Sequence, residues 1–457
     1  MLHKIILSSI TAALLGGCAS NVPSPEKAVG RLKSDIAAPA HFKSSYVGGA
    51  VKDNWLRSFR DPTLNRLVKE AQQHNPHLQI AASRVAHAAA ILNYTESTLY
   101  PHLDLQGNYQ FRSWEAQEHH DKGTLTLAIN WEPDLWGRIG NQQAADYASL
   151  AAQEADFTYA RESLSANTAK VWFLLGSDKM IYTFARKIVS LQSKAAEILQ
   201  KRAEIGQGNM RDVHMIRGMV AEAKEAERAA LQAKQRDTRA MEILIGRYPA
   251  NALKAKKLGH LPTKLPNGIP ADLLNRRPDV IAAQYRVAAA FHNIKAAELL
   301  RLPTINLSLQ GGVDILQDTM AKAIGGLFMP LLDAGAIQSK IDAATADQKA
   351  AIAAYRQTVL HAFSEVENTL ARERQLSQRY RYLQTMVEEF KTAYKMTDEN
   401  YNIGQGTILD VLQIQAKWIH ARIAEVALQK KRFLNRIDLY LALGGSYTIH
   451  HRSKKEK

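Results

Sequence analysis

The prolines of this chain are very unevenly spaced, and their spacing exposes an internal duplication. Fourteen prolines occur in 457 residues, but none between Pro133 and Pro249 and none in the 127 residues after Pro330. Tracts that long without proline suit long helices, because an internal proline removes a backbone hydrogen bond and clashes with the preceding turn. Three prolines recur at a nearly constant offset: Pro76 and Pro278 by 202, Pro101 and Pro303 by 202, Pro133 and Pro330 by 197. Side chains follow. Ala81, Arg84 and Val85 match Ala283, Arg286 and Val287, and Leu105-Gln106-Gly107 resembles Leu309-Gln310-Gly311. Ile205-Gly206-Gln207-Gly208 with Asp212-Val213 matches Ile403-Gly404-Gln405-Gly406 with Asp410-Val411 at offset 198, as Gly246 matches Gly444. The chain is two copies of one unit of about 200 residues.

Each copy opens on a helix and continues as a strand pair. Asp61-Pro62 is a helix start, with aspartate as N-cap and proline at the first helical position; the helix is expected to run to about Ser97. Asn275 to Asp279 starts its counterpart, with Asp279 near the positive end of the dipole. His102–Ser113 alternates Leu103, Leu105, Gly107, Tyr109 and Phe111 with polar residues, and Thr124–Glu132 alternates Leu125, Leu127, Ile129 and Trp131 with Thr124, Thr126, Ala128, Asn130 and Glu132. In the second copy Ile305, Leu307, Leu309, Val313 and Ile315 alternate with polar residues, whereas the last strand, Ala321–Met329, is weakly patterned. Apolar-out, polar-in strands of about 9–11 residues match a membrane barrel, although an amphipathic hairpin on a soluble core would alternate in the same way. Four strands cannot close a barrel, since the smallest have about 8, and lipid does not tolerate open edges. Strands in a membrane would therefore require several chains to share one barrel.

Gly137–Ile205 and Gly335–Ile403 are each 69 residues long, roughly 100 Å as helix. Each ends at Ile-Gly-Gln-Gly and returns as a shorter helix, about 210–246 and 408–443, giving helical hairpins. In the last helix Leu412, Ile419, Val426, Phe433 and Tyr440 repeat every seven residues. Ala416, Ile423, Lys430 and Ile437 interleave, with only Lys430 polar, and Leu376, Tyr380, Leu383, Val387, Phe390 and Tyr394 continue the pattern on the partner helix. Such periodicity implies coiled-coil packing. Residues 247–276, with four prolines, read as an irregular connector.

Residues 1–17 read as an export signal, with Lys4 ahead of a short apolar core. Leu15-Gly16-Gly17-Cys18 then resembles a lipobox whose cysteine takes a diacylglycerol; Cys18 is the sole cysteine, so no intramolecular disulfide or cysteine zinc site is available. Ala19 is not the aspartate that resembles an inner-membrane retention signal, so an outer-membrane address is expected. A segment from 18 to 60 would follow as a lipid-anchored extension.

No Gly-x-Ser-x-Gly elbow, His-Glu-x-x-His or phosphate loop appears, and no enzymatic activity is expected. His119-His120 in a polar loop and His450-His451 in the basic tail 445–457 suit solvated surface better than metal binding. The balance of 59 Lys and Arg against 44 Asp and Glu gives a net charge of +15. No basic patch with interleaved aromatics accompanies it, so nucleic acid is not an expected partner.

These residues resemble the bacterial outer-membrane efflux proteins of the TolC/OprM family, in its lipoprotein (NodT-like) branch. The carriers are Trp55 with Phe59-Arg60-Asp61-Pro62, Trp131-Glu132-Pro133-Asp134-Leu135-Trp136-Gly137, Leu274-Asn275-Arg276-Arg277-Pro278-Asp279, and Tyr401-Asn402-Ile403-Gly404 with Leu409-Asp410-Val411-Leu412. The resemblance implies a mainly α fold with a membrane β-barrel portion. Repeats at 61–246 and 277–444 would build a homotrimeric α/β barrel of twelve strands and a periplasmic helical tunnel. It implies a passive duct for drugs or other toxic small molecules, with no cofactor beyond the lipid on Cys18. The expected partners are a periplasmic adaptor, an inner-membrane pump and outer-membrane lipid. An exit duct for type I protein secretion, or a periplasmic coiled-coil lipoprotein without a pore, are the alternatives. By position, the resemblance assigns adaptor contact to the tips Gly206, Gln207, Gly208, Gly404, Gln405 and Gly406. It assigns a periplasmic gate to Leu409 and Asp410, with Asp212 at the equivalent place in the first copy. The family's second acidic gate position is Gln413 here, so a weaker cation site is expected.

Overall fold

A computed structural model describes residues 30, 42–44, 55–110, 122–262, 270–314 and 319–445. The lipobox cysteine Cys18, both histidine pairs and the basic tail lie outside the described residues. The chain divides into two compact units, each drawing on both copies of the repeat. One is formed by His87–Ala152 with Ala283–Tyr355, the other by the described parts of 38–86, 153–282 and 356–457.

The first unit carries the sheet. Its strands are β1 (His102–Gln110), β2 (Lys122–Trp131), β3 (Thr304–Asp314) and β4 (Thr319–Phe328). They pair antiparallel in the order β1-β2-β3-β4, so β2 and β3 join the two copies. The register places Leu105 opposite Leu127, Ile129 opposite Leu309, and Leu307 opposite Gly325. Directly paired residues share a face, so one face is apolar across all four strands. That face is open: Leu103 is 67% exposed, Leu309 54% and Leu327 72%. Asp104, Asn108, Thr126, Asn130, Asn306 and Gln310 occupy the other, where Asn130 Nδ2 donates to Asp104 at 3.1 Å. β4, weakly patterned because of Ala321, Ala323, Gly325 and Gly326, still pairs with β3 along its length. Two indoles are anchored near the strand ends: Trp131 Nε1 donates to the Leu99 carbonyl at 3.0 Å and Trp136 Nε1 to the Pro303 carbonyl at 2.6 Å. Such partly exposed aromatics are the girdle residues of membrane barrels.

The helices are α1 (Pro62–His74), α2 (Pro76–Ser97), α3 (Arg138–Glu204), α4 (Met210–Leu244), α5 (Pro270–Arg276), α6 (Pro278–Glu298), α7 (Ala336–Asn402) and α8 (Ile408–Ala442). The helix expected from Asp61 to Ser97 is two helices. Pro76 has no N–H and pushes the preceding residue out of the α region. Asn75 is accordingly extended (ψ 123°); its Oδ1 accepts from His77 N and Leu78 N, and its Nδ2 donates to Leu244 O. The connector is not wholly irregular either, since its last residues form α5. Three glycine pairs 198 residues apart, Gly137/Gly335, Gly206/Gly404 and Gly246/Gly444, all take positive φ between 75° and 86°. Each copy is thus punctuated at the same three places.

In the second unit the α8 heptad is buried as its spacing requires: Leu412, Ile419, Val426, Phe433 and Tyr440 are all 5% exposed or less. Trp55 stacks on Tyr440 (centroids 5.4 Å apart), and Phe59 and Phe433 both approach Phe173, at 5.0 and 4.4 Å. Asp61 caps α1 through one oxygen and accepts from Trp172 Nε1 through the other at 2.7 Å, which ties α1 to α3. Arg277, 3% exposed, bonds Asp279, Glu365 and the Ala442 carbonyl, explaining the Arg-Pro-Asp run.

Two sets of buried charges interrupt this core. Arg436 donates to Glu373 at 3.0 Å and to the Pro262 carbonyl, and Asn435 donates to the other Glu373 oxygen. In the other set Asp178 of α3 and Asp237 of α4 are 7% and 4% exposed, hydrogen bonded to each other. Each leaves its Oδ2 without a donor; one proton held between the carboxyls supplies the missing partner. Burial pushes the Asp178 carboxyl up to about 7, and the Asp237 carboxylate adds to the rise. Lys430 of α8 and Arg236 of α4 pull it down; Arg236 also donates to Asp237 at 2.7 Å. Lys430 is the one polar residue in the α8 seam.

A carboxyl whose folded pKa lies above its ordinary value of 3.8 binds a proton in the folded state that the unfolded chain has lost. Stability therefore falls as pH rises from about 4 to about 7 and is level above that. Asp178→Asn, which cannot ionise, should flatten this part of the thermal-midpoint profile and raise the midpoint at pH 8. An unchanged slope in the variant would show that the proton is held elsewhere.

Candidate functional site

The far ends of the two helical hairpins hold the residues that sequence reasoning singled out. α3 and α7 both end by a left-handed glycine, Gly206 (φ 75°) and Gly404 (φ 80°). Gly206 N donates to Ala203 O at 3.1 Å and Gln207 N to Arg202 O at 2.8 Å. In the second copy Gly404 N donates to Tyr401 O at 3.0 Å and Gln405 N to Asn400 O at 2.8 Å. These bonds satisfy carbonyls that the last helical turn leaves free, and glycine takes the positive φ at no steric cost. Gly206, Gln207, Gly208, Gly404, Gln405 and Gly406 are all exposed.

The returning helices start differently. At α4, Asn209 caps by accepting from Arg211 N at 2.9 Å. At α8, Thr407 and Asp410 form a reciprocal capping box. Asp410 N donates to Thr407 Oγ1 at 3.2 Å, while Thr407 Oγ1 and N donate to Asp410 Oδ2 at 2.6 and 3.1 Å. Those donors hold the exposed Asp410 carboxyl below the usual carboxylate range, so it stays ionised at neutral pH. Asp212 is half-buried and accepts from the Arg211 guanidinium at 3.3 Å. Gln413 is exposed and Leu409 half-buried.

The two turns are side by side. Leu412 is buried with Ala195, Leu199, Val213 and Ile216 of the first hairpin, and Leu409 packs against that cluster. Arg202 Nη2 reaches the Tyr401 hydroxyl at 3.4 Å. Sequence reasoning missed this bond and the capping role of Thr407. The Thr-x-x-Asp spacing signals the cap; the arginine–tyrosine contact has no local signal. No group of three or more potential metal-binding residues occurs among the described residues, and none of the described helices is long and apolar enough to cross a membrane.

Residues 67–247 and 269–445 match the family described as outer membrane efflux protein. A pyoverdine export outer membrane protein of Pseudomonas putida, OpmQ, is 24% identical over 436 residues, covering 90% of this chain and 93% of that protein. A probable outer membrane lipoprotein of Salmonella typhimurium, SilC, is 25% identical over 464 residues, covering 97% and 98%. In fold, the open state of the MtrE outer membrane channel of Neisseria gonorrhoeae aligns with a TM-score of 0.82 at 24% identity, covering 90% of this chain and 96% of that one.

The two turns differ in how much room their second glycine has. A Cβ at Gly208 would lie 2.9 Å from Ala203 N and 3.1 Å from the Arg202 carbonyl carbon, both backbone atoms. At Gly406 it would meet only Tyr401 N, at 3.9 Å. Gly208→Ala should therefore open the first turn, with faster amide exchange at Gly206 and Gln207, while Gly406→Ala leaves the second unchanged. Equal effects at the two positions would contradict this geometry.

Proposed function

This chain belongs to the outer membrane efflux protein family, and from that premise we propose that it is the outer-membrane channel of a tripartite efflux system, passing drugs or other toxic small molecules outward without performing chemistry on them. The observation that carries the reading is the four-stranded sheet, apolar and exposed on one face, polar on the other, with β1 and β4 as edges. In lipid every backbone N–H and C=O needs a partner, so such a sheet is stable only when its edges pair with further copies. Three copies pair β4 of each chain with β1 of the next and close twelve strands, a size at which the lumen is water-filled. The polar face then lines the path and the leucines face lipid. The SilC relative is called a lipoprotein, which supports a diacylglycerol anchor on Cys18 as the sole added group. The exposed turns are the periplasmic ends, where an adaptor docks and links the channel to an inner-membrane pump.

At a threefold mouth each turn residue appears three times. Leu409 can seal the aperture by apolar contact, and three ionised Asp410 carboxylates attract cations, with Gln413 adding dipoles and no charge. Asp212, engaged by Arg211, contributes less.

Closure of one barrel from three chains predicts SDS-resistant, heat-modifiable trimers with single-channel conductance in planar bilayers; monomers without conductance would defeat the reading. Cys18→Ser should lose fatty-acid labelling while keeping the trimer, because the strands hold the membrane independently. Leu409→Ala with Asp410→Ala should raise passive conductance and sensitise cells to a large polar antibiotic, whereas Asp410→Glu, which keeps the charge, should not. Unchanged conductance in an assembled double variant would place the constriction elsewhere.

A further inference from the structure

We propose that the protein meeting these turns is bipolar, presenting carboxylates to the first turn and ammonium or guanidinium groups to the second. The inference rests on the reading of the turns as the docking surface and comes from comparing the two copies. Over residues 198–217 the first copy carries Lys201, Arg202, Arg211 and Arg217 against Glu204 and Asp212, a net of +2. The matched window of the second copy, 396–415, carries Asp398, Glu399 and Asp410 with no Lys or Arg, a net of −3. The backbone closes identically in both, so the fold does not require the difference.

Local stability does not explain it either. A helix C-terminus favours cations, and Lys201 and Arg202 comply at the end of α3. Asp398 and Glu399 near the end of α7 run against that dipole, and no basic residue stands in the last turn of α7. Nor do the two signs neutralise one another. Among the described residues, no ion pair joins Lys201, Arg202 or Arg211 to Asp398, Glu399 or Asp410; Arg202 meets the neutral Tyr401 hydroxyl instead. Lys201, Arg202, Arg211, Glu399 and Asp410 are exposed. Opposite charges left facing solvent on adjacent turns are answered by a partner that carries both signs in the opposite order. A uniformly acidic or basic partner is attracted to one turn and repelled by the other, so the pattern selects the partner and sets its orientation.

The test places a benzoyl-phenylalanine photocrosslinker at Gln207 or at Gln405 in the native host and sequences the joined partner peptides by mass spectrometry. The peptide joined at Gln207 should be net acidic and the one joined at Gln405 net basic. Lys201→Glu with Arg211→Glu should lower the yield at Gln207 about tenfold and change that at Gln405 less than about twofold, as expected for a local charge effect. Peptides of the same sign at both positions, or an unchanged yield in the assembled double variant, would overturn the charge pattern while leaving the docking surface intact. No cross-link at either position from an assembled channel would overturn the docking reading itself.

Discussion

The backbone at the edges of a sheet in hydrocarbon must be paired, and the rest of this protein is arranged around that requirement. One copy of the repeat supplies a hairpin with two open edges. Duplication lets β2 pair with β3 over eight registered residues, which removes two of the four edges at no cost in symmetry. The remaining edges, β1 and β4, are left for neighbouring chains. The side chains agree with this assignment. Leu103, Leu105, Leu125, Leu127, Leu309 and Leu327 are exposed on one face, where water would disfavour them and lipid does not. A covering layer of helices would have buried them, as in ordinary antiparallel sheets.

The helices solve a different problem, because they pack in water and need a hydrophobic seam. The α8 heptad supplies it, and the aromatic cluster of Trp55, Phe59, Phe173, Phe433 and Tyr440 locks it to the residues ahead of α1. Burying charge in such a seam is costly, and removing one partner of a buried pair costs about 3–5 kcal/mol. The Arg436–Glu373 pair is satisfied by Asn435 and the Pro262 carbonyl, so it fixes the connector against α7 and α8. Asp178 and Asp237 are satisfied only when they share a proton, which makes this the part of the helical core whose packing depends on pH.

What was legible in the sequence is what has a period or a backbone meaning. Prolines and glycines mark places where φ or a missing N–H dictates structure, so the duplication, the hairpin turns and the strand pairs could all be read from them. The same residues misled once. Pro76 was used to align the copies, but its consequence for Asn75, a break with a new cap, was passed over. β4 was read as weak because Ala and Gly carry little pattern; its partner β3 supplies the pairing that its own residues do not announce. Of the site, the exposed turns and the position of Asp410 were readable. The carboxyl pair was not, since Asp178 and Asp237 lie 59 residues apart on separate helices and neither breaks a heptad. Lys430 was visible as an intruder in the seam, and its partners appear only in three dimensions.

The duplicated copies show which features are structural and which are free to diverge. Left-handed glycines at three matched places and the helix-starting acids Asp134 and Asp333, each accepting backbone N–H donors, are retained because the chain cannot turn or start a helix well without them. The residues around the hairpin turns are under no such constraint. There Asn209 faces Thr407 as the cap, Gly208 is crowded where Gly406 is free, and the net charge changes sign. A homotrimer of such chains is threefold, yet each chain presents two unlike ends, so the periplasmic rim alternates between them. Alternation of charge around a ring gives a partner a unique angular register, which a ring of identical ends would lack. Divergence confined to exposed turns, on a backbone that the two copies share, is what selection on a docking surface leaves behind.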